Sequence, residues 1–151
     1  EGLVEPTIQR WFTKASVSKN IPVLEKVRSM IRSTDIAGHA GCCEALKTLS
    51  FGSRLGEIRV PTLILGGAED KGAPPEILAQ TAGKIPNAQH AVVPNAGHIS
   101  NLENSVDFNN QLKKFLKLKC LRSILLLFEA NQNLSKEFLV IKKIIRKHLL
   151  P

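Results

Sequence analysis

The run from Thr62 to Gly67, TLILGG, constrains this chain more than any other stretch. It is short, apolar at its centre, and bounded by Pro61 and two glycines. Such a run predicts a strand buried on both faces, as in a parallel sheet. The segment PNAQHAVVPNAG, residues 86 to 97, predicts a second strand. Between them PPEILAQTAGKI reads as a helix that opens on proline, where the missing N–H costs little. After them NLENSVDFNNQLKKFL reads as an amphipathic helix with Val106, Leu112, Phe115 and Leu116 on its apolar side. Strand, helix, strand, helix over residues 62 to 116 predicts a βαβα unit with parallel strands and a right-handed crossover. Two strands leave edges and faces open, so the unit asks for more sheet, and no other segment offers a convincing strand.

Residues 7 to 48 read as helices. TIQRWFTKA places Ile8, Trp11, Phe12 and Ala15 on one face. IPVLEKVRSMI has Pro22 near its first turn and Val23, Val27, Met30 and Ile31 at helical spacing. STDIAGHAGCCEALKTL has Thr34 or Asp35 as its N-cap. Gly38 and Gly41 weaken that helix by up to about 1 kcal/mol each relative to Ala, which predicts a neighbour packed close there. Residues 49 to 61, rich in Gly and Ser, read as a loop. No internal repeat at solenoid spacing is present.

Composition excludes several classes. Apolar residues make up 43% and charged residues 23% of 151, ordinary for a globular chain long enough to bury a core. The first residue is Glu1, which predicts processing or a fragment, and no charged-then-apolar leader follows it. The longest apolar run, SILLLF at 123 to 128, falls far short of the roughly 18 residues of a membrane span. Cys42 and Cys43 are adjacent and Cys120 is alone, which fits a reducing, cytoplasmic compartment better than a disulfide framework. That spacing and the scattered histidines point to no metal site. The net charge of +8 is concentrated late: from residue 117 on, eight Lys or Arg face two Glu, against 13 basic and 11 acidic residues before it. The tail lacks aromatic interleaving and a base-reading motif, so nucleic acid is not expected as a partner.

In open α/β sheets the working residues sit in loops at the carboxyl ends of strands. Two loops qualify. GGAEDKGAPP follows the first strand and presents Asp70, with Glu69 as its competitor; PNAGH follows the second and presents His98. Parallel strands put both loops at one end of the sheet. A carboxylate bonded to one imidazole nitrogen fixes the tautomer, and the other nitrogen takes a proton from a nucleophile. The order acid, then histidine, matches the end of the serine–acid–histidine order of α/β-hydrolases.

The stretch VPTLILGGAED…PPEILAQTAGKIPNAQHAVVPNAGHISNLENSVDFNNQLKKFL resembles the C-terminal part of an α/β-hydrolase. Upstream, RWFT…VLEKVRSMIRSTDIAGHAGCCEALKTLSF resembles the helical lid of the 3-oxoadipate enol-lactonases. The run from Trp11 through TD-x-AG-x-AGCC to GH-x-SN-x-E carries the resemblance, over roughly residues 6 to 116. It implies a partial α/β-hydrolase fold: a lid over residues 1–50, the C-terminal part of a parallel-sheet core over 51–116, and a tail over 117–151. It implies that Asp70 is the triad acid, His98 the base, and Trp11 a lid residue facing the substrate cavity. The substrate would be a small lactone or ester, opened by water with no metal and no organic cofactor.

The departures from that pattern are as informative. No serine in the chain stands in G-x-S-x-G; in FGSRLG the glycine adjoins Ser53. Cys43, in GCCEA, has Gly-x-Cys-x-Ala form, but DIAGHA before it does not read as a strand, so a small packed residue in a lid helix is expected. His39 and His90 are expected to be structural or exposed. The serine is therefore expected in a missing N-terminal half or a partner chain, leaving this chain inactive alone. A non-catalytic ligand- or partner-binding protein, or a truncated product without a stable fold, are the rivals. The tail does not resemble the family. Leu134, Phe138, Ile141, Ile145 and Leu149 share a helical face there, which fits a helix lying on an anionic membrane or in a partner groove; the favoured reading is a docking helix, or sequence from a changed reading frame or splice site.

Overall fold

The computed structural model describes residues 2–130. The chain divides into two compact units, residues 1–109 and 110–151. The first begins with helices. α1 (Val4–Trp11) and α3 (Val23–Ser33) pack against each other, with the short α2 (Lys14–Ser18) between them in sequence. Ile8, Phe12, Leu24 and Val27 form their buried core. Full burial of such side chains stabilises by about 1.5–3 kcal/mol each. On the rim, Glu5 and Arg28 form a two-pronged ion pair between the helices, at 2.7 and 3.3 Å.

Three helical expectations need correction. The segment read as one helix from 7 to 15 is broken, because Phe12 and Thr13 are extended. Thr13 Oγ1 accepts the Ser16 N–H at 3.2 Å and so starts α2 as its cap. On α3, Val27 is buried and Val23 and Ile31 pack against the core as expected, but Met30 does not join them. Leu24 is fully buried, whereas Met30 is 57% exposed. α4 (Ile36–Lys47) is capped by Asp35, which accepts the Gly38 N–H at 2.6 Å. Nothing packs close on its glycines, however. A Cβ on Gly41 would meet nothing within 4 Å, and one on Gly38 would meet only Asp35. The whole helix is exposed among the described residues.

The stretch expected as a plain loop contains a 3₁₀ helix, Gly52–Glu57, closed by the Arg54–Glu57 pair at 2.9 Å. β1 (Leu63–Gly67) and β2 (Gln89–Val93) then pair in parallel, from Leu63 opposite Gln89 to Gly67 opposite Val93. α5 (Pro75–Gly83), with proline in its first turn, connects the strands and packs on both. Its Leu78 fills the space where a Gly66 side chain would stand. The expectation of a strand buried on both faces is met only at Gly66 and Gly67; Leu63, Ile64 and Leu65 are half-buried. A two-stranded sheet with one covering helix leaves its edges open, and its apolar residues stay partly wet.

The last predicted helix is also divided. α6 (Ser100–Glu103) ends at Asn104, and α7 runs from Ser105 to Ala130. Asn104 Oδ1 accepts the Asp107 N–H at 3.3 Å, while its Nδ2 donates to the Pro94 carbonyl at 2.9 Å. Val106, Leu112 and Leu116, expected on an apolar side, are exposed. In the second unit the described part is the continuation of α7. The tail face of Leu134, Phe138, Ile141, Ile145 and Leu149 lies outside the described residues. Among the described residues no helix is long and apolar enough to cross a membrane.

Candidate active site

The loops that leave β1 and β2 are stitched together before either carries a reactive group. The Ala68 N–H donates to the Val93 carbonyl and the Glu69 N–H to the Ala96 carbonyl, both at 2.9 Å. Gly67 stands where the second loop crosses the end of β1. A Cβ there would overlap the carbonyl oxygens of Ala96 and Gly97. Asn95 turns the chain with φ of 51°, a left-handed conformation that asparagine tolerates better than most residues. Main-chain hydrogen bonds thus hold the two loops side by side.

Asp70 follows the first turn, and its side chain is 4% exposed. Oδ1 accepts the N–H groups of Gly72 at 2.8 Å and Ala73 at 3.1 Å. Oδ2 lies 2.9 Å from His98 Nδ1. Burial pushes the Asp70 carboxyl up. The bond to His98 and the two backbone donors pull it down more strongly, so it titrates below its ordinary value. An ionised carboxylate can only accept, so Nδ1 carries a proton. Nε2 is then the ring nitrogen with a free lone pair, on a side chain 45% exposed. Neighbouring Glu69 is exposed and contributes its backbone, not its carboxylate, so Asp70 is the acid the fold pairs with His98.

Trp11 also reaches this point. Its ring stacks on the imidazole with centroids 6.0 Å apart and planes inclined by 29°. Its carbonyl accepts the His98 N–H at 2.7 Å. Trp11 packs at the same time against the core that α1 and α3 share. Trp11 thus touches both the helical core and the His98 ring. A residue whose role the sequence reading left out joins them. Glu103 Oε1 accepts from Thr13 N–H at 2.9 Å and Thr13 Oγ1 at 2.7 Å, and Oε2 accepts from Gly97 N–H at 2.7 Å. Its position five residues beyond His98, at the end of a one-turn helix, is the signal that was available.

The other candidates lie elsewhere in the structure. Cys43 was expected to be packed; it is exposed in the middle of α4, with Sγ 3.8 Å from His39 Nε2. Among the described residues no strand precedes it, so it lacks the strand-to-helix turn of a nucleophile elbow. Ser53 lies exposed in the 3₁₀ helix and His39 is exposed on α4. His90 sits on β2 opposite Ile64, half-buried, with an Nε2 that has no hydrogen-bond partner among the described residues.

A buried carboxylate and an imidazole thus stand side by side at the carboxyl ends of two parallel strands, an arrangement compatible with an α/β-hydrolase. A family model described as alpha/beta hydrolase fold matches residues 12–105, well over half of the chain, and the chain belongs to that family. It is 28% identical over 117 residues to 3-oxoadipate enol-lactonase 2 of Acinetobacter baylyi, covering 76% of this chain and 43% of that one. It is 30% identical over 120 residues to 3-oxoadipate enol-lactonase 1 of the same organism, again covering 76% and 43%. Among solved structures, the enol-lactonase from Burkholderia xenovorans LB400 superposes with a TM-score of 0.72 at 30% identity, covering 76% of this chain and 44% of that one. The chain therefore spans less than half the length of these relatives.

Proposed function

We propose that this chain contributes the lid and the acid–base residues of a hydrolase that opens a small carboxylic lactone or ester, of the 3-oxoadipate enol-lactonase kind. The observation that carries this reading is the Asp70–His98 bond of 2.9 Å at the carboxyl ends of two parallel strands. In this reading residues 1–50 are the lid, 51–116 the C-terminal part of the core, and 117–151 an appended tail. Trp11 forms part of the wall against which the substrate lies. Exposed thiols at Cys42 and Cys43 fit a reducing, cytoplasmic setting.

The chemistry follows from which nitrogen holds the proton. Asp70 keeps it on Nδ1, so Nε2 takes the proton of an attacking hydroxyl. As the carbonyl becomes tetrahedral, Asp70 stabilises the imidazolium. Nε2–H then returns the proton to the departing enolate oxygen. In the second half His98 activates water in the same way to release the acid. No serine of these 151 residues stands in G-x-S-x-G. The hydroxyl is therefore assigned to sequence outside them, on the same polypeptide or on a partner, and the chain by itself does not turn over.

The test uses two proteins. The 151-residue chain is assayed on an enol-lactone and on an activated ester. The same chain is also joined behind the part of 3-oxoadipate enol-lactonase 2 of A. baylyi that it does not cover. Hydrolysis by the joined protein only, lost on His98→Ala, is the expected result. Turnover by the chain alone that survives His98→Ala, or ligand binding with no hydrolysis in the joined protein, contradicts it and favours a non-catalytic binding role.

A further inference from the structure

We propose that Glu103 is a positioning residue for His98, holding the base loop to the entry of the lid through a single carboxylate. This rests on the reading of His98 as the base. The observation is the convergence of three donors from two distant segments on one side chain. Thr13 N–H and Oγ1–H meet Oε1 at 2.9 and 2.7 Å, and Gly97 N–H meets Oε2 at 2.7 Å. Thr13 is buried, as is Gly97. Hydrogen bonds to an ionised carboxylate are short and about twice as strong as neutral ones.

The residues held are those that set the imidazole. Gly97 immediately precedes His98, and Thr13 lies two residues after Trp11. Between the two attachments runs the His98 N–H bond to the Trp11 carbonyl at 2.7 Å. A Cβ on Gly97 would stand 2.6 Å from that carbonyl oxygen, so the approach is as close as glycine permits. Ile99 and Leu102 pack onto the lid core from the same turn. Glu103 thus fixes the His98 backbone from one side while Asp70 fixes its ring from the other. The lid entry and the base loop then move as one body, and the Trp11 and His98 rings keep their stacking. The carboxylate is the group suited to this. Glutamine can offer one oxygen to Thr13 but turns an NH₂ toward the Gly97 donor, and aspartate is one methylene shorter.

The test reads amide hydrogen exchange and the His98 ring resonances by NMR in the full 151-residue chain. It compares Glu103→Gln and Glu103→Ala with the native protein. In Glu103→Ala, exchange at Thr13, Gly97 and His98 should quicken by about tenfold or more, the scale of a lost charged hydrogen bond. The His98 ring signals should broaden, and exchange in β1 and α5 should stay unchanged. In Glu103→Gln, Gly97 and His98 should loosen while Thr13 stays protected. Uniform acceleration across α1, α3 and the sheet in Glu103→Gln would mean a purely structural role and overturns the proposal. So does native exchange at Gly97 and His98 in either variant. Glu103→Gln decides the matter where Glu103→Ala loses its cooperative melt. None of these signals involves substrate, so they stand apart from the hydrolysis test above.

Discussion

Trp11 and His98 are bonded through main chain, the Trp11 carbonyl accepting the His98 N–H at 2.7 Å, while their rings stack 6.0 Å apart. The end of α1 and the loop after β2 therefore meet at both backbone and side chain. Trp11 is the single tryptophan of the chain, so its emission reports on this meeting. Replacing His98 by Ala removes the stacked imidazole and should change both the intensity and the wavelength of that emission. An emission spectrum identical to the native one would mean that the rings do not stack in solution.

Two glycine substitutions should act in opposite directions. Gly67→Ala drives a methyl group into the Ala96 and Gly97 carbonyls and should destabilise by about 1–3 kcal/mol, the usual scale of overpacking. Gly41→Ala meets nothing on the exposed α4 and should stabilise by up to about 1 kcal/mol, through helix propensity alone. Denaturation midpoints in urea measure both.

Acid should weaken the fold through Asp70. Burial raises its carboxyl, but the His98 bond and the Ala73 and Gly72 donors lower it further, to a net depressed value. The unfolded chain binds the proton more readily, near the ordinary value of about 3.9. The stabilisation is therefore complete above that pH and is lost as pH falls through the lower folded value. Asp70→Asn should reduce stability at neutral pH and flatten this part of the acid limb. Melting temperatures of the two proteins across the acid range test the difference.

Cys42 and Cys43 should both react with a thiol reagent in the native chain, because both are exposed. Cys43→Ser should change stability by no more than about 0.5 kcal/mol, as for a surface site. Slow labelling that waits on unfolding would indicate that α4 is covered in solution.

In the joined protein, Asp70→Asn should lower turnover by a factor on the order of 10⁴, as loss of the acid does in the serine–histidine–aspartate template. His98→Ala should cost at least as much, on the order of 10⁶ in comparable hydrolases. Steady-state rates on an activated ester check both.

What was legible in the sequence is what depends on near neighbours. An apolar run closed by glycines marks β1, and the acid just past it marks the loop that carries Asp70. The same logic locates β2 and His98. The break at Phe12 and Thr13 was hidden because Thr13 is drawn out by Glu103, a partner 90 residues away in sequence. On α3 the spacing puts Val23, Val27 and Ile31 at the core, but that Leu24 joins them and Met30 does not depends on where α1 packs, which periodicity does not report. Gly38 and Gly41 suggested a close neighbour, and periodicity has no means of reporting that none of the described elements comes near. Asn104, read as part of a continuous helix, breaks it because its side chain prefers the Pro94 carbonyl and the first turn of α7.

The most direct measurement is the tautomer of His98, read from nitrogen–proton correlations of the imidazole in the native chain at alkaline pH. The Asp70 contact predicts a ring protonated on Nδ1 with Nε2 bare, and a shift toward the Nε2-protonated form in Asp70→Asn. A native ring that carries its proton on Nε2, unchanged by Asp70→Asn, would contradict the acid–base pair on which the hydrolase reading stands.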